Sequence, residues 1–286
     1  MTTANLRQEL AWNGPLGRHW AAHHRRFDAL LGGADEALFA AAALAPGDRV
    51  LDIGCGAGAT TRTAARLAAP GHALGVDISV PLVERARART AEEGVPGAAY
   101  EVGDAQTHPF APGGYDVAIS RGGVMFFEDQ AAAFANVARA LRRGGRLVFV
   151  CPRRPDAGTE ESVVLARFAR QLAAGARGTV PAEPDPGARA AGAAMASLSE
   201  PYRVHGALHR AFGRIAVRPL DVHTRWGETP ADAVDFLLAR TRARQVPAAT
   251  RAALEDSLRP YASARGVRTR AGVWLVTAVR RDDAGP

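Results

Sequence analysis

The chain has 286 residues, 47% hydrophobic and 23% charged, which supplies a packed core and rules out a disordered chain. Lys plus Arg is 36 against 29 Asp plus Glu, a formal charge of +7. All 36 bases are arginine, which excludes Schiff-base, pyridoxal-phosphate, P-loop and kinase lysine chemistry. Cys55 and Cys151 lie far apart and make neither a disulfide framework nor a Cys-rich zinc site, and no metal is expected. The polar opening TTANLRQE lacks the apolar segment of a signal peptide. The longest apolar run, 37–46, is about half of the ~20 residues that span a membrane, so a soluble cytoplasmic protein without membrane contact is expected. A pI of about 10.5 invites a nucleic-acid reading, but the arginines are spread among nearly as many acids.

In chain order, 16–44 reads as mostly helical with a break at Gly32–Gly33, and Leu16, Trp20, His23, Phe27 and Leu30 fall on one helix face. Strands are expected at 49–53, 72–77, 98–102, 115–120 and 146–151, with helices running to 69 and over 80–93 and 130–141. This alternation predicts βαβ units, a parallel sheet and helices on both faces. After Cys151 it stops. Helices are expected at 161–174, 199–210, 230–244 and 247–261, a Pro-rich loop at 181–187, and two more strands at 212–223 and 272–280. The expected organisation is a lid at 1–45 and one domain at 46–286. That domain divides into a cofactor core (46–152), a cap or insertion (153–210) and C-terminal strands and helices (211–286).

The most informative stretch is VLDIGCGAGATT, 50–61. A strand ends in an acid, a glycine loop follows, and a helix begins. Gly54, Gly56 and Ala59 also satisfy a tolerated form of the dinucleotide fingerprint, so a nicotinamide oxidoreductase is an alternative on the loop alone. Three acids bear on the choice. Asp52 would repel a pyrophosphate and attract an ammonium or sulfonium. Asp77 ends the next strand, where a carboxylate accepts both hydroxyls of a ribose, a role that a nicotinamide-dinucleotide site shares. Asp104 follows the third strand, where an acid accepts from an adenine amino group. All three stand at the carboxyl ends of strands, where open α/β sheets bind ligands.

VLDIGCGAG, GVDIS, GDAQ, YDVAIS and LRRGGRLVFV together resemble the successive motifs of class I S-adenosylmethionine-dependent methyltransferases, over about residues 46–152. Within that class the chain is similar to the bacterial small-molecule, ubiquinone/menaquinone-methyltransferase-like (type 11) group. WNGPLGRHW, SRGGVMFFED and GVWLVTAVRR resemble a subgroup of standalone enzymes. The resemblance implies a Rossmann-like seven-stranded sheet, mostly parallel with the last strand antiparallel, under an N-terminal helical lid and an inserted cap. It implies S-adenosylmethionine as cofactor and S-adenosylhomocysteine as product. Asp52 would face the methionine amine; Gly54, Cys55 and Gly56 would cradle methionine and ribose. Asp77 would hold the ribose hydroxyls, with Ile78 against the adenine. Asp104 and Ala105 would meet the adenine edge, and the Ser120 carbonyl the methionine ammonium.

Methyl transfer is an in-line displacement in which positioning does most of the work. An acidic hydroxyl acceptor benefits from a base, and His23, His24 and His209 are the candidate bases or acceptor-positioning groups. Arg121 follows the fourth strand and would bind the methionine carboxylate or an acidic acceptor, or else pair with Glu128 or Asp129. Trp12, Asn13 and Trp20 in the lid, Met125 and Phe126 after the fourth strand, and Tyr202 in the cap are the candidate acceptor contacts. SRGG replaces the Asn/Asp-Pro-Pro-Tyr pattern of amino-directed nucleic-acid enzymes, and no Pro-Cys stands there. The expected function is methylation of a C, N or O atom of a small aromatic specialised metabolite. The alternatives are a nucleic-acid or protein methyltransferase and a non-methylating S-adenosylmethionine-binding protein. The expected partner is a small-molecule acceptor, without nucleic acid or membrane; a homodimer is compatible with the sequence.

Overall fold

The computed structural model describes residues 4–154, 159–175, 193–239 and 246–282. The chain opens with short helices, α1 (Leu6–Asn13), α2 (Pro15–Ala22), α3 (His24–Leu31) and α4 (Asp35–Ala42). The expected single helix face therefore breaks at His23 (φ −110°, ψ 22°) as well as at the 3₁₀ turn Gly32–Ala34. The bend lets α2 lie on α6 while α3 reaches a different part of the sheet. Glycine is required at the second break, because a Cβ on Gly33 would stand 2.2 Å from the His223 carbonyl oxygen.

The expected alternation follows: β1 (Arg49–Ile53), α5 (Ala59–Ala68), β2 (His72–Asp77), α6 (Val80–Glu93), β3 (Ala98–Val102), β4 (Tyr115–Arg121), α7 (Gln130–Ala140) and β5 (Leu141–Pro152). Beyond it come α8 (Glu160–Gly175), α9 (Pro201–Leu208), β6 (Phe212–Gly227), α10 (Pro230–Ala239), α11 (Ala248–Leu258), β7 (Ala262–Ser263) and β8 (Gly266–Arg280). β5 starts earlier than its apolar run because Leu141 already pairs with Tyr115 ahead of a register shift. The Pro-rich loop expected at 181–187 lies outside the described residues.

The eight-stranded sheet runs β3-β2-β1-β4-β5-β8-β6, with β7 paired to β8. β1 to β5 are parallel, and β8 is antiparallel to both neighbours. β7, a two-residue strand on the β8 hairpin, is one strand more than expected. Side chains alternate through the sheet. Val117, Ile119 and Val148 pack with Leu38, Ala64 and Ala65 on one face; Ala118, Leu147 and Phe149 pack with Phe134, Val137 and Val204 on the other. Strand order reverses between β1 and β4, and it is outside the carboxyl ends of the strands at such a reversal that open α/β sheets place a ligand crevice.

β6 and β8 are longer than their apolar runs suggest. Past the end of β5, where Pro152 pairs with Val273, they continue as a ribbon in which Val222 pairs with Ala271 and Gly227 with Val267. Phe27, Phe168, Trp226, Phe236, Leu254 and Val267 form a second core on this ribbon, joining α3, α8, α10 and α11. At about 1.5–3 kcal/mol for each large apolar side chain buried, this core anchors the cover over the crevice. No helix among the described residues is long and apolar enough to cross a membrane.

Candidate active site at the carboxyl edge of the sheet

The loop after β1 carries Gly54, Gly56 and Gly58 at φ +66°, +54° and +79°, a region costly for other residues. Two of them are demanded by packing. A Cβ on Gly54 would lie 2.6 Å from the Gly123 Cα, and one on Gly58 would lie 2.5 Å from the Tyr100 hydroxyl. A Cβ on Gly56 would meet nothing within 4 Å, so this peptide faces open space at the crevice. Arg62, buried in α5, steadies the loop by donating to the Ala57 carbonyl at 2.8 Å. Cys55 is buried and points back to the sheet, where a Cβ on Gly75 would lie 2.8 Å from its Sγ. Burial, with Asp77 and Asp52 nearby, pushes its thiol well above the usual range.

Carboxylates crowd this edge. Asp77 Oδ2 accepts from Gly56 N (2.8 Å) and Oδ1 from Ser79 N (2.9 Å). Burial still dominates over these bonds and, with Asp52 adding repulsion, lifts the Asp77 carboxyl to about 6. Asp52 is fully buried. Its Oδ2 accepts from Thr60 and Thr61 (2.7 and 2.6 Å), while Oδ1 has no hydrogen-bond partner among the described residues. Burial raises its pKa against the pull of the two threonines. Ser120 ties the crevice walls together, donating to the Ile53 carbonyl (2.7 Å) and accepting from Gly123 N (3.0 Å).

Arg121 is placed differently from either expectation. Its guanidinium meets neither an open ligand position nor Glu128 or Asp129. It pairs with Asp28 of α3 (2.6 Å) and with both oxygens of Asp35 of α4 (3.0 and 2.9 Å). Burial opposes its charge, but Asp35 and Asp28 outweigh that and raise its pKa. Burial in turn raises Asp35, with Arg121 opposing. One arginine thus serves two acids, which leaves the crevice net negative.

The lid is clasped to the other side of the edge. Asp104 Oδ1 accepts from Asn5 Nδ2 (2.7 Å) and Gln106 N (3.0 Å), and Oδ2 from Asn5 N (3.2 Å). Asn5 Oδ1 accepts from Glu128 N at 2.6 Å. Buried Ala105 directs its carbonyl to Asn136 (3.0 Å). Asn13 caps the turn after β2: Nδ2 donates to the Ile78 carbonyl (3.0 Å) and Oδ1 accepts from Val80 N (2.8 Å). Its amide is therefore engaged by backbone. Ser79 Oγ donates to the Trp12 carbonyl at 2.7 Å. Trp12 meets Trp20 and Phe126 edge to face, each at 5.3 Å, and packs with Ile78. Trp20 stacks on Phe27 at 3.7 Å, and Phe27 meets Phe236 at 5.2 Å. An aromatic arc therefore runs from the β4 loop across the lid to α10. Met125 is buried beneath it.

Three expected residues, His23, His209 and Tyr202, stand elsewhere, and His24 keeps a buried Nε2 with no hydrogen-bond partner among the described residues. His23 is exposed, with Nδ1 2.9 Å from the His19 carbonyl. His24 is half-buried beside α6; burial lowers its pKa, and Asp28, Arg85 and Arg89 are the charges that act on it. His209 is exposed at the opposite, amino-terminal edge, close to where Phe212 pairs with Arg280. Tyr202 is 68% exposed on α9. Histidines read from acceptor chemistry alone carry no information about which way the broken lid turns them. The residues missed are Asn5, Gln8, Asp28, Asp35, Thr60, Thr61 and Ser79. Spacing held a faint signal only at the start of the chain, where Asn5, Gln8 and Trp12 fall three and four residues apart.

The sequence profile of a family described as a methyltransferase domain matches residues 51–149, the segment that builds the glycine loop and three of the acids. Over 107 residues (37% of this chain, 49% of the relative) the sequence is 37% identical to the aklanonic acid methyltransferase DauC of a Streptomyces species. Over 108 residues (37% and 39%) it is 36% identical to the nocamycin O-methyltransferase of Saccharothrix syringae. The fold resembles phosphoethanolamine N-methyltransferase 2 of Haemonchus contortus, solved with phosphomonomethylethanolamine and S-adenosylhomocysteine. That match has a TM-score of 0.53 at 19% identity and covers 87% of this chain and 52% of that one. Residues 51–149 therefore match a methyltransferase domain, and the chain shares the fold of a solved methyltransferase. The matched segments span 27–49% of the length of these curated relatives.

Proposed function

We propose that this protein uses S-adenosylmethionine to methylate a C, N or O atom of a small, planar specialised metabolite beneath the lid. The observation that carries this reading is the surplus of acceptors at the carboxyl edge. Asp52 Oδ1 is buried without a partner among the described residues, Asp77 stands beside open space at Gly56, and Arg121 is already matched by two acids. Such an edge suits a cationic, donor-rich ligand and repels a pyrophosphate, which disfavours the dinucleotide alternative.

On this reading Asp52 Oδ1 and the Ser120 carbonyl face the methionine ammonium, and the Gly54–Gly56 backbone cradles the chain. Asp77 takes the ribose hydroxyls, while Ile78, Asp104 and Ala105 frame the adenine. The bound cofactor supplies an electrophilic methyl on a sulfonium sulfur. Trp12, Trp20, Phe126 and Met125 exclude water and hold a flat acceptor in line, and such positioning can lower a barrier by roughly 7–11 kcal/mol. With His23 and His209 away from the crevice, the reading is transfer mainly by positioning, with His24 the histidine still available as a base. Relatives named for aklanonic acid and nocamycin support a small natural-product acceptor.

Calorimetric titration with S-adenosylhomocysteine tests the cofactor, with NADH as control. Micromolar binding that Asp77→Ala weakens at least tenfold is expected; no binding, or binding of NADH instead, overturns the reading. Mass gain over a panel of phenols, polyketide-like aromatics and amines then identifies the acceptor.

A further inference from the structure

We infer that Gln8, on the lid, is the residue that reads the exocyclic amino group of the cofactor's adenine. The inference deepens the proposed function and rests on it.

Gln8 is 7% exposed, and its Oε1 is buried with no hydrogen-bond partner among the described residues. A buried amide oxygen left without a donor is costly, and native proteins keep few of them. Its position explains what would satisfy it. Gln8 lies one turn after Asn5 and one turn before Trp12, on the same face of α1. Asn5 is bonded to Asp104 beyond β3, and Trp12 packs with Ile78 beyond β2. The carboxamide between them therefore sits over the stretch of crevice framed by Ile78 and Asp104, the part assigned to the adenine.

Asp104 is largely committed already. A carboxylate has about four acceptor positions. Here Asn5 Nδ2, Asn5 N and Gln106 N occupy three. The Asn5–Asp104 pair works as the clasp that holds α1 down, and Gln8 Oε1 presents the acceptor for the adenine N–H. Cofactor selectivity and lid closure are in this way built into one helix face. A cofactor without the 6-amino group leaves Gln8 unsatisfied, so the lid closes less firmly over it.

The test compares S-adenosylhomocysteine with its 6-deamino analogue, which carries purine in place of adenine, on wild-type protein, Gln8→Leu and Gln8→Met. Wild-type protein should prefer the amino ligand about tenfold, equivalent to about 1.4 kcal/mol. Both variants should lose that preference by weakening only the amino ligand, and should melt no lower than wild type because an unsatisfied oxygen has been removed. Equal weakening of both ligands, or an undiminished preference, overturns the assignment and leaves the cofactor reading standing. Loss of the preference in Asp104→Asn but not in the Gln8 variants overturns it in favour of Asp104. Failure of wild-type protein to bind either ligand overturns both.

Discussion

The sheet half of the site and the half that covers it are built on different principles. On the sheet, the two acids beside the glycine loop find partners nearby in sequence. Asp52 meets Thr60 and Thr61, 8 and 9 residues on; Asp77 meets Ser79 two residues on and Gly56 across a separation of 21. The cover is held by pairs far apart: Asn5 with Asp104 (99 residues), Arg121 with Asp35 and Asp28 (86 and 93), and Arg26 with Asp232 (206). The sheet half is a rigid set of strand ends that presents backbone and carboxylates. The cover is held by its own apolar core on the β6–β8 ribbon, by the aromatic arc and by these long-range charged and amide pairs.

The sharpest way to break the contrast is Arg121→Met. It leaves Asp28 and Asp35 side by side without their cation, on the seam between the halves. A broken buried ion pair costs about 3–5 kcal/mol, and the lower end applies here because both acids keep some contact with water. A urea unfolding midpoint should fall accordingly, and adding Asp35→Asn should recover a good part of the loss. An unchanged midpoint would mean that the seam is not held by charge.

A smaller effect, confined to the sheet half, follows from Asp77. With its carboxyl at about 6, affinity for S-adenosylhomocysteine should be flat above that pH and fall about tenfold per unit below it, as the carboxylate proposed to take the ribose hydroxyls is protonated. Stability has the opposite sign. Between roughly pH 4 and 6 the native state holds a proton that the unfolded chain has released, so the Asp77 contribution to stability fades as pH rises through that window. Calorimetry and thermal melting over pH 4.5–8 read both trends, and binding that is level to pH 5 would remove Asp77 from the ligand.

The smallest effect belongs to Arg26→Ala. Arg26 donates to the Asp232 carbonyl and carboxylate (2.8 and 2.7 Å) and stands over the Phe236 ring, but both charged groups are about one-third exposed. Exposed pairs contribute about 0–1 kcal/mol. The melting temperature should barely move, while amide exchange across α3 should quicken if this pair steadies the lid.

Much of the first half was legible without coordinates. β1, β2, β3 and α6 have the boundaries that periodicity gives. Gly54, Gly56 and Gly58 were readable as a turn, though not that Gly54 and Gly58 are required by Gly123 and Tyr100 while Gly56 faces open space. The strand-end positions of Asp52, Asp77 and Asp104 were readable too. The lid was read less well. Its continuous apolar face hid the bend at His23, and the bend turns that histidine outward. Arg121 was recognised as standing at a boundary, but its partners are acids on two separate lid helices that no local pattern links to it.

The sequence by itself determined the order of strands and helices, the glycine loop and the acids that end the strands. Those features rest on side-chain periodicity and on backbone angles that act within a few residues. Tertiary structure alone decided that Asn5 closes on Asp104, that Arg121 is neutralised by Asp28 and Asp35, and that the Gln8 amide oxygen is buried without a partner among the described residues. A polar side chain's partner depends on which surfaces the crossovers bring together, and across separations of 86 to 206 residues nothing in its own neighbourhood specifies that meeting.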